Sequence, residues 1–249
     1  MLKLQEGPLD MAPFINEELP LILVTDKPFS TEHERPQALQ KALALLVDSS
    51  ALHADTVRDP EERCFALYQS ILSGTPAPPL LLMPPAPPSG TQKTFTTAQL
   101  LDSPAFFCAF LRAALRASAL GQISLILPRI ETVQEIRRAR RLIAAVTEQL
   151  YTNGVIADET VLLCLGLASA AALERLWELL EEADLLIVDT EAISHTVTGL
   201  MPTLQLIGTA VDTAHALNRF VALTGDLTND RRALPHLITM GADAFIRPF

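Results

Sequence analysis

The stretch that most constrains the fold is residues 111–150, which reads as a helix, a tight turn, a buried strand and a second helix. Leu111 and Leu115 place apolar side chains at helical spacing, and Gly121 is typical of the position just past a helix C-terminus. Residues 123–127 form a short and largely apolar run, which is typical of a strand covered on both faces. A buried strand between two amphipathic helices is the repeating unit of a parallel α/β fold.

The second helix of this stretch opens with a capping box, in which Thr132 caps the helix and Glu135 follows three residues later. Its basic residues form one cluster, Arg137, Arg138, Arg140 and Arg141. A solvated helix face accounts for this cluster most simply, and a site for an anion or a partner is the alternative.

The same alternation of strand and helix runs along the chain. The predicted strands are residues 20–25, 42–47 (which also fits the end of a helix), 80–83, 123–127, 161–167, 184–188, 220–223 and 244–247. The predicted helices between them include 30–40, 59–74, 132–150, 169–182, 202–217 and 229–241. Eight strands are the number with which a (β/α)8 TIM barrel closes. We therefore predict an α/β barrel over residues 19–249, with a missing or very short last helix, after an irregular lead-in over residues 1–18.

Charge and cysteine usage exclude several classes of function. The 249-residue chain has a formal net charge of −10, which argues against a surface for nucleic acid or anionic membrane. No apolar run approaches the ~20 residues of a membrane span, and the N-terminus has no signal-peptide pattern. The three cysteines are widely spaced in apolar surroundings, which is typical of reduced core thiols in a cytoplasmic protein.

Four stretches resemble the phosphoenolpyruvate (PEP)-binding barrel of the PEP-utilising enzyme family, most of all the C-terminal domain of PTS enzyme I (phosphoenolpyruvate-protein phosphotransferase). They are residues 111–143, LGLASAAALERL at 165–176, ADLLIVDTEAIS at 183–194, and ALTGDLTNDRRALPHLITMGADAF at 222–245. The resemblance covers roughly residues 20–249. It implies a TIM barrel that binds PEP and Mg²⁺ and forms a homodimer.

The same resemblance shows what this chain has lost. The family binds Mg²⁺ through a glutamate that ends strand five and an aspartate that ends strand six, and these positions are Gly166 and Ala192 here. The general-acid cysteine of the family falls on Thr224. The phosphate-binding arginines of the family fall near three apolar residues, Val47, Met83 and Phe95. A phosphorylated substrate without its metal or guanidinium partners has little to offset its desolvation.

Polar residues nevertheless remain where the predicted strands end, at the face on which TIM barrels carry their sites. The candidate binding residues are Arg129, Asp189, Glu191, Thr224 and Arg247, and Asp48 ends another strand of the same face. One interpretation makes Asp189 and Glu191 new metal ligands and uses Arg129 or Arg247 for an anion. The other makes these residues helix caps and loop contacts. Trp177 is interpreted as core packing.

Three functions follow from these residues. The leading hypothesis is a catalytically inactive, regulatory or interaction barrel, with no catalytic residue, metal or cofactor, which forms a homodimer or pairs with a related enzyme. The alternative is a PEP- or pyruvate-class phosphotransferase or lyase with a rebuilt Mg²⁺ site. The third is a sensor of a small anionic ligand. We expect the mouth of the barrel to be shallow, or plugged by the PPAPP loop at 84–88 and apolar side chains.

Overall fold

Eight parallel strands close into a barrel in chain order, with the last strand paired against the first. The computed structural model describes residues 21–25, 42–49, 59–73, 78–87, 95–158 and 161–248. The strands are β1 (Leu21–Thr25), β2 (Ala44–Asp48), β3 (Leu80–Met83), β4 (Ile123–Leu127), β5 (Leu162–Leu167), β6 (Leu185–Asp189), β7 (Phe220–Thr224) and β8 (Ala244–Pro248). The predicted TIM barrel is confirmed, and residues 42–47 are a strand rather than the end of a helix.

Helices surround the barrel between successive strands. They are α1 (Pro60–Leu72), α2 (Thr97–Leu101), α3 (Pro104–Ser118), α4 (Val133–Thr152), α5 (Ala170–Glu174), α6 (Leu176–Leu180), α7 (Thr190–Thr196), α8 (Leu200–Ala216) and α9 (Leu234–Thr239), with a 3₁₀ turn over Asp226–Thr228. The last described element is β8. The predicted lead-in over residues 1–18 and the predicted helix over residues 30–40 lie outside the described residues.

Successive residues of each strand alternate between the barrel interior and the helix layer, because a strand has a side-chain period of two. The interior cluster consists of Ile22, Ala44, Leu46, Leu81, Ile126, Cys164, Ile187, Ala222, Ala244 and Ile246. Their outward neighbours, such as Leu45, Leu125 and Phe245, belong to the larger cluster that packs against the helices. Nearly uninterrupted apolar strands follow from this arrangement, since both faces of the sheet are covered.

Helix capping follows the sequence signals closely. Asp59 caps α1 ahead of Pro60 at the first helical position, and the Ser169 hydroxyl accepts a hydrogen bond from the Ala172 amide at the start of α5. Thr132 and Glu135 form both halves of a capping box on α4. The four arginines that follow are exposed on the outer face of α4, as predicted.

The prediction of one helix over residues 169–182 is wrong, and so is the burial of Trp177. The chain leaves helical geometry at Arg175 (φ −105°, ψ 12°), which divides the segment into α5 and α6. Leu173, Leu176 and Leu180 of the predicted apolar stripe are buried, but Trp177 is not. Trp177 is 51% exposed, and its indole N–H donates to Glu181 Oε1 at 3.2 Å.

Gly121 has a different structural role from the one predicted. Helix α3 ends at Ser118 with Ala119 as its C-cap, three residues short of the turn that Gly121 occupies. A Cβ atom on Gly121 would lie 2.8 Å from the Leu72 side chain. The glycine therefore permits close packing between this turn and the end of α1.

Two short helices, α2 and α7, are present in addition to the predicted ones. The predicted helix over residues 229–241 is shorter, because a 3₁₀ turn and a loop precede α9. Cys64 and Cys164 are buried and Cys108 is half-buried, and all three thiols are free. None of the described helices is long and apolar enough to cross a bilayer.

Candidate functional site

A pocket of about 220 Å³ lies at the carboxyl-terminal end of the barrel. Its lining consists of Asp48, Met83, Phe95, Pro128, Arg129, Gly166, Leu167, Ala168, Ile187, Asp189 and Thr224. Most of the lining residues that point into the barrel are the last residues of their strands to do so. Most of the lining residues are apolar, and residues 84–87, the described part of the PPAPP loop, are not among them.

Arg129 lies in the tight loop between β4 and α4 and has an unusual backbone. Its φ of +47° falls in the left-handed region, which costs a non-glycine residue roughly 1–2 kcal/mol. Hydrogen bonds anchor the loop on both sides of it. The Pro128 carbonyl accepts from the amide and the hydroxyl of Thr97, both at 2.8 Å, and the Ile130 amide donates to the Gly166 carbonyl at 3.0 Å.

Arg129 pairs with Asp189 across the pocket. The guanidinium Nη2 is 3.8 Å from Asp189 Oδ2, and the two side chains are 35% and 33% exposed. The other carboxylate oxygen of Asp189 accepts from the Ala192 amide at 3.0 Å and thereby caps α7. Asp189 thus contributes to the charge of the pocket and to the start of the next helix.

The other three predicted residues divide between the pocket and its surroundings. Thr224 lines the pocket and is the register partner of Asp189 on the neighbouring strand. Glu191 is exposed on α7 and is not among the lining residues. Arg247 does not line the pocket either, and its Nη2 donates to the Thr228 carbonyl at 3.1 Å. By strand alternation Arg247 lies on the outward face of β8, as does Phe245 two residues earlier. The structure therefore brings Arg129, Asp189 and Thr224 together and leaves Glu191 and Arg247 outside the lining.

The donor set of the mouth does not fit the Mg²⁺ site that the resemblance implies. Mg²⁺ takes oxygen ligands, usually one or two carboxylates in addition to substrate phosphates. The resemblance places the family's glutamate at Gly166, which lines the pocket and has no side-chain oxygen, and the family's aspartate at Ala192, which has none either. Asp189 holds a helix amide with one oxygen and faces Arg129 with the other. No group of three His, Cys, Asp or Glu side chains suited to a metal occurs among the described residues.

Several lining residues were outside the predicted site. The resemblance marks Met83 and Phe95 only as positions near lost arginines, and the sequence pattern assigns Ile187 and Leu167 to strand core. The sequence contains a signal for two of them. By strand alternation Met83 on β3 and Ile187 on β6 point into the barrel, and the inward-facing positions lead to the mouth. Phe95 lies in the loop before α2, where strand parity gives no guidance.

Comparison with known proteins decides the ancestry. The sequence model described as "PEP-utilising enzyme, PEP-binding domain" matches residues 97–246, which is more than half of the chain. The chain belongs to the PEP-utilising enzyme family. This family match begins at α2 and includes every residue of the pocket lining except Asp48, Met83 and Phe95.

Relatives in this PEP-utilising family include two enzymes named phosphoenolpyruvate-protein phosphotransferase. The protein from Haemophilus influenzae is 30% identical over 160 residues, which is 58% of this chain and 28% of that protein. The protein from Staphylococcus carnosus is 28% identical over 162 residues, with the same coverage of 58% and 28%. The match thus spans little more than a quarter of the length of these relatives.

Solved structures with the same architecture confirm the fold of this family member. An HpcH/HpaI aldolase/citrate lyase family protein from Burkholderia cenocepacia has a TM-score of 0.60 and 13% identity, covering 93% of this chain and 88% of its own. An HpcH/HpaI aldolase from Desulfitobacterium hafniense has a TM-score of 0.56 and 11% identity, covering 93% and 86%. At these identities the likeness concerns the fold alone.

Proposed function

We propose that this chain is a PEP-family barrel that does not transfer phosphoryl groups and acts by binding. The observation that carries the proposal is the mouth of the barrel. Glycine and alanine occupy the two positions that the resemblance assigns to the family's metal carboxylates, and Asp189, a carboxylate of the pocket lining, faces a guanidinium and caps a helix. A divalent cation has too few oxygen ligands there to bridge a substrate phosphate.

Charge supports the same conclusion. Among the described residues, the pocket lining holds one guanidinium, from Arg129, and two carboxylates, from Asp48 and Asp189. PEP carries a phosphate and a carboxylate, and both must lose water on entering. One guanidinium that already faces a carboxylate compensates only part of this desolvation.

The alternative of a rebuilt metal site has less support from the geometry. It requires Asp189, Glu191 and Arg247 to act on one ligand. Only Asp189 belongs to the pocket lining, whereas Glu191 is exposed on α7 and Arg247 donates to the Thr228 carbonyl.

The proposal extends to how the protein acts. A barrel that keeps its fold and family sequence without the phosphoryl-transfer site serves as a regulatory or interaction module in the cytoplasm. It associates with a second copy or with a related enzyme of the family. Analytical ultracentrifugation over a range of concentrations tests self-association, and a monomer at every concentration would leave only the pairing with a related enzyme.

The central experiment measures metal and PEP binding to the full chain. Mn²⁺ binding is followed by electron paramagnetic resonance, with and without PEP, and thermal unfolding is followed with PEP and Mg²⁺ at about millimolar concentration. We expect no bound Mn²⁺ and no shift in the unfolding temperature. Binding of Mn²⁺ that strengthens with PEP, or formation of pyruvate from PEP, would overturn the proposal.

A further inference from the structure

The geometry points to a small zwitterion with an apolar side chain, an aliphatic α-amino acid, as the ligand of the mouth pocket. This inference rests on the proposed function, because it requires a pocket that does not serve PEP and Mg²⁺. It names the chemical class that the remaining side chains recognise.

The first support is the spacing of the two opposite charges. The 3.8 Å between Arg129 Nη2 and Asp189 Oδ2 exceeds the usual 2.7–3.2 Å of an N–H···O hydrogen bond. Both side chains are about one-third exposed, so solvent reaches them. Each is held in place by its own segment. Two hydrogen bonds from Thr97 hold the carbonyl that precedes Arg129, and the capped α7 amide holds Asp189.

The second support is the cost of satisfying only one of these charges. A monoanion that bound Arg129 would exclude solvent from Asp189 and leave that carboxylate with a backbone amide as its main partner. A monocation at Asp189 would leave the Arg129 guanidinium in the same position. Because an uncompensated charge in a desolvated site is strongly unfavourable, a ligand with both a carboxylate and an ammonium group fits better than either.

The third support is the rest of the lining. Met83, Phe95 and Ile187 add apolar residues to the same lining, and Met83 and Ile187 belong to the inward-facing cluster of the barrel. Gly166 adds no side chain between them and the turn at Pro128 and Arg129. An aliphatic side chain would bury against these groups, at the favourable ~25 cal/mol per Å² of apolar area removed from water.

Calorimetric titration with three matched compounds tests this assignment. L-Leucine carries both charges, 4-methylpentanoate lacks the ammonium group, and 3-methylbutylamine lacks the carboxylate. We expect L-leucine to bind at concentrations up to about 10 mM and each one-charge analogue to bind about tenfold more weakly or worse.

Charge-removing variants separate binding from folding. Asp189→Asn keeps a good helix cap on α7. We expect this variant to reduce the difference in affinity between L-leucine and 4-methylpentanoate. Arg129→Gln is expected to reduce the difference in affinity between L-leucine and 3-methylbutylamine. Arg141→Gln, on the exposed face of α4, is the control and should bind as the parent does.

The outcomes distinguish the two proposals. No binding of L-leucine, or equal binding of L-leucine and 4-methylpentanoate to the parent chain, would overturn the assignment of a zwitterion. Neither result bears on the phosphoryl-transfer site, which the Mn²⁺ and PEP measurements test separately. If PEP and Mn²⁺ bind, both proposals fail together.

Discussion

A Cβ atom on Gly225 would lie 2.7 Å from the backbone nitrogen of Glu191, so the turn after β7 and the first turn of α7 contact each other through backbone atoms. Gly225 also has φ +95°, in the region that favours glycine. This contact places α7, and with it Glu191, beside the mouth of the barrel and outside the pocket lining.

We predict that Gly225→Ala destabilises the chain by about 3 kcal/mol or more, since it combines backbone strain with a clash against a backbone atom. Urea unfolding provides the measurement. Gly154→Ala is the matched control, because Gly154 has φ +71° but nothing within 4 Å of its ideal Cβ, and it should cost only roughly 1–2 kcal/mol. Equal losses in the two variants would mean that the close approach to Glu191 is unimportant.

Because the backbone of Arg129 is left-handed, we expect the usual order of stability of alanine and glycine variants to be reversed at this position. At most positions alanine is more favourable than glycine by roughly 0.5–1 kcal/mol. At Arg129, with φ +47°, we expect Arg129→Gly to be more stable than Arg129→Ala by about 1 kcal/mol, because glycine adopts this φ freely. Thermal unfolding of the two variants decides the matter, and a more stable alanine variant would contradict the strained loop.

Restoring the family's two carboxylates should restore a metal site. A Cβ atom on Gly166 would meet the Leu127 carbonyl oxygen and Pro128 Cα at 3.4 Å, which is close to ordinary contact, so Gly166→Glu can be accommodated. We predict that the double variant Gly166→Glu, Ala192→Asp binds Mn²⁺ at least about tenfold more tightly than the parent, as two added carboxylate ligands would allow. Electron paramagnetic resonance measures this binding. The variant Gly166→Gln, Ala192→Asn is the uncharged control.

Alkaline pH should weaken the fold through its buried thiols. Burial raises the pKa of the Cys64 thiol from 9.0 to about 11. Between these values the unfolded state loses the proton and the folded state keeps it, so stability is full below pH 9 and falls as pH rises, by about 1.4 kcal/mol per unit at most. Burial also raises the pKa values of Cys164 and Tyr68, which act in the same direction.

Urea unfolding between pH 8 and pH 10.5 measures this slope. We expect Cys64→Ala to flatten the slope without abolishing it, since the other buried groups still titrate. Cys108→Ala is the comparison, because Cys108 is only half-buried and should change the slope less. An unchanged slope in Cys64→Ala would show that this thiol does not contribute.

Neighbouring residues of α6 provide a fifth test. Leu176 is 2% exposed and Trp177 is 51% exposed. Leu176→Ala should cost about 2–5 kcal/mol, as for other buried leucines, whereas Trp177→Ala should stay within about 1 kcal/mol. Chemical denaturation compares them, and a larger loss for Trp177→Ala would restore the core role that the sequence pattern suggested.

Much of the fold follows from local signals in the sequence. The apolar strands, the capping box at Thr132 and Glu135, and Asp59 with Pro60 at the start of α1 are determined by interactions within a few residues. The error at Trp177 has a different origin, because the break at Arg175 carries no glycine or proline and depends on how α5 and α6 pack on the barrel.

Part of the site also follows from local signals in the sequence. Asp189 ends β6 and Arg129 lies two residues past the end of β4, and both strands end at the mouth, so their position in the chain is enough to select them. Strand parity also excludes Arg247, since Phe245 packs outward two residues earlier. The position of Glu191 depends on the contact between its backbone and Gly225, which joins residues far apart in the sequence and cannot be read from either segment alone.

The strained conformation of Arg129 has a consequence for laboratory evolution. Heat-resistant variants selected without a ligand present should lose this arginine early, with glycine or asparagine in its place, because such replacements relieve the backbone and nothing in that selection rewards a cation at the mouth. A library selected in that way would become more robust while its pocket lost the one positive charge found among its described lining residues.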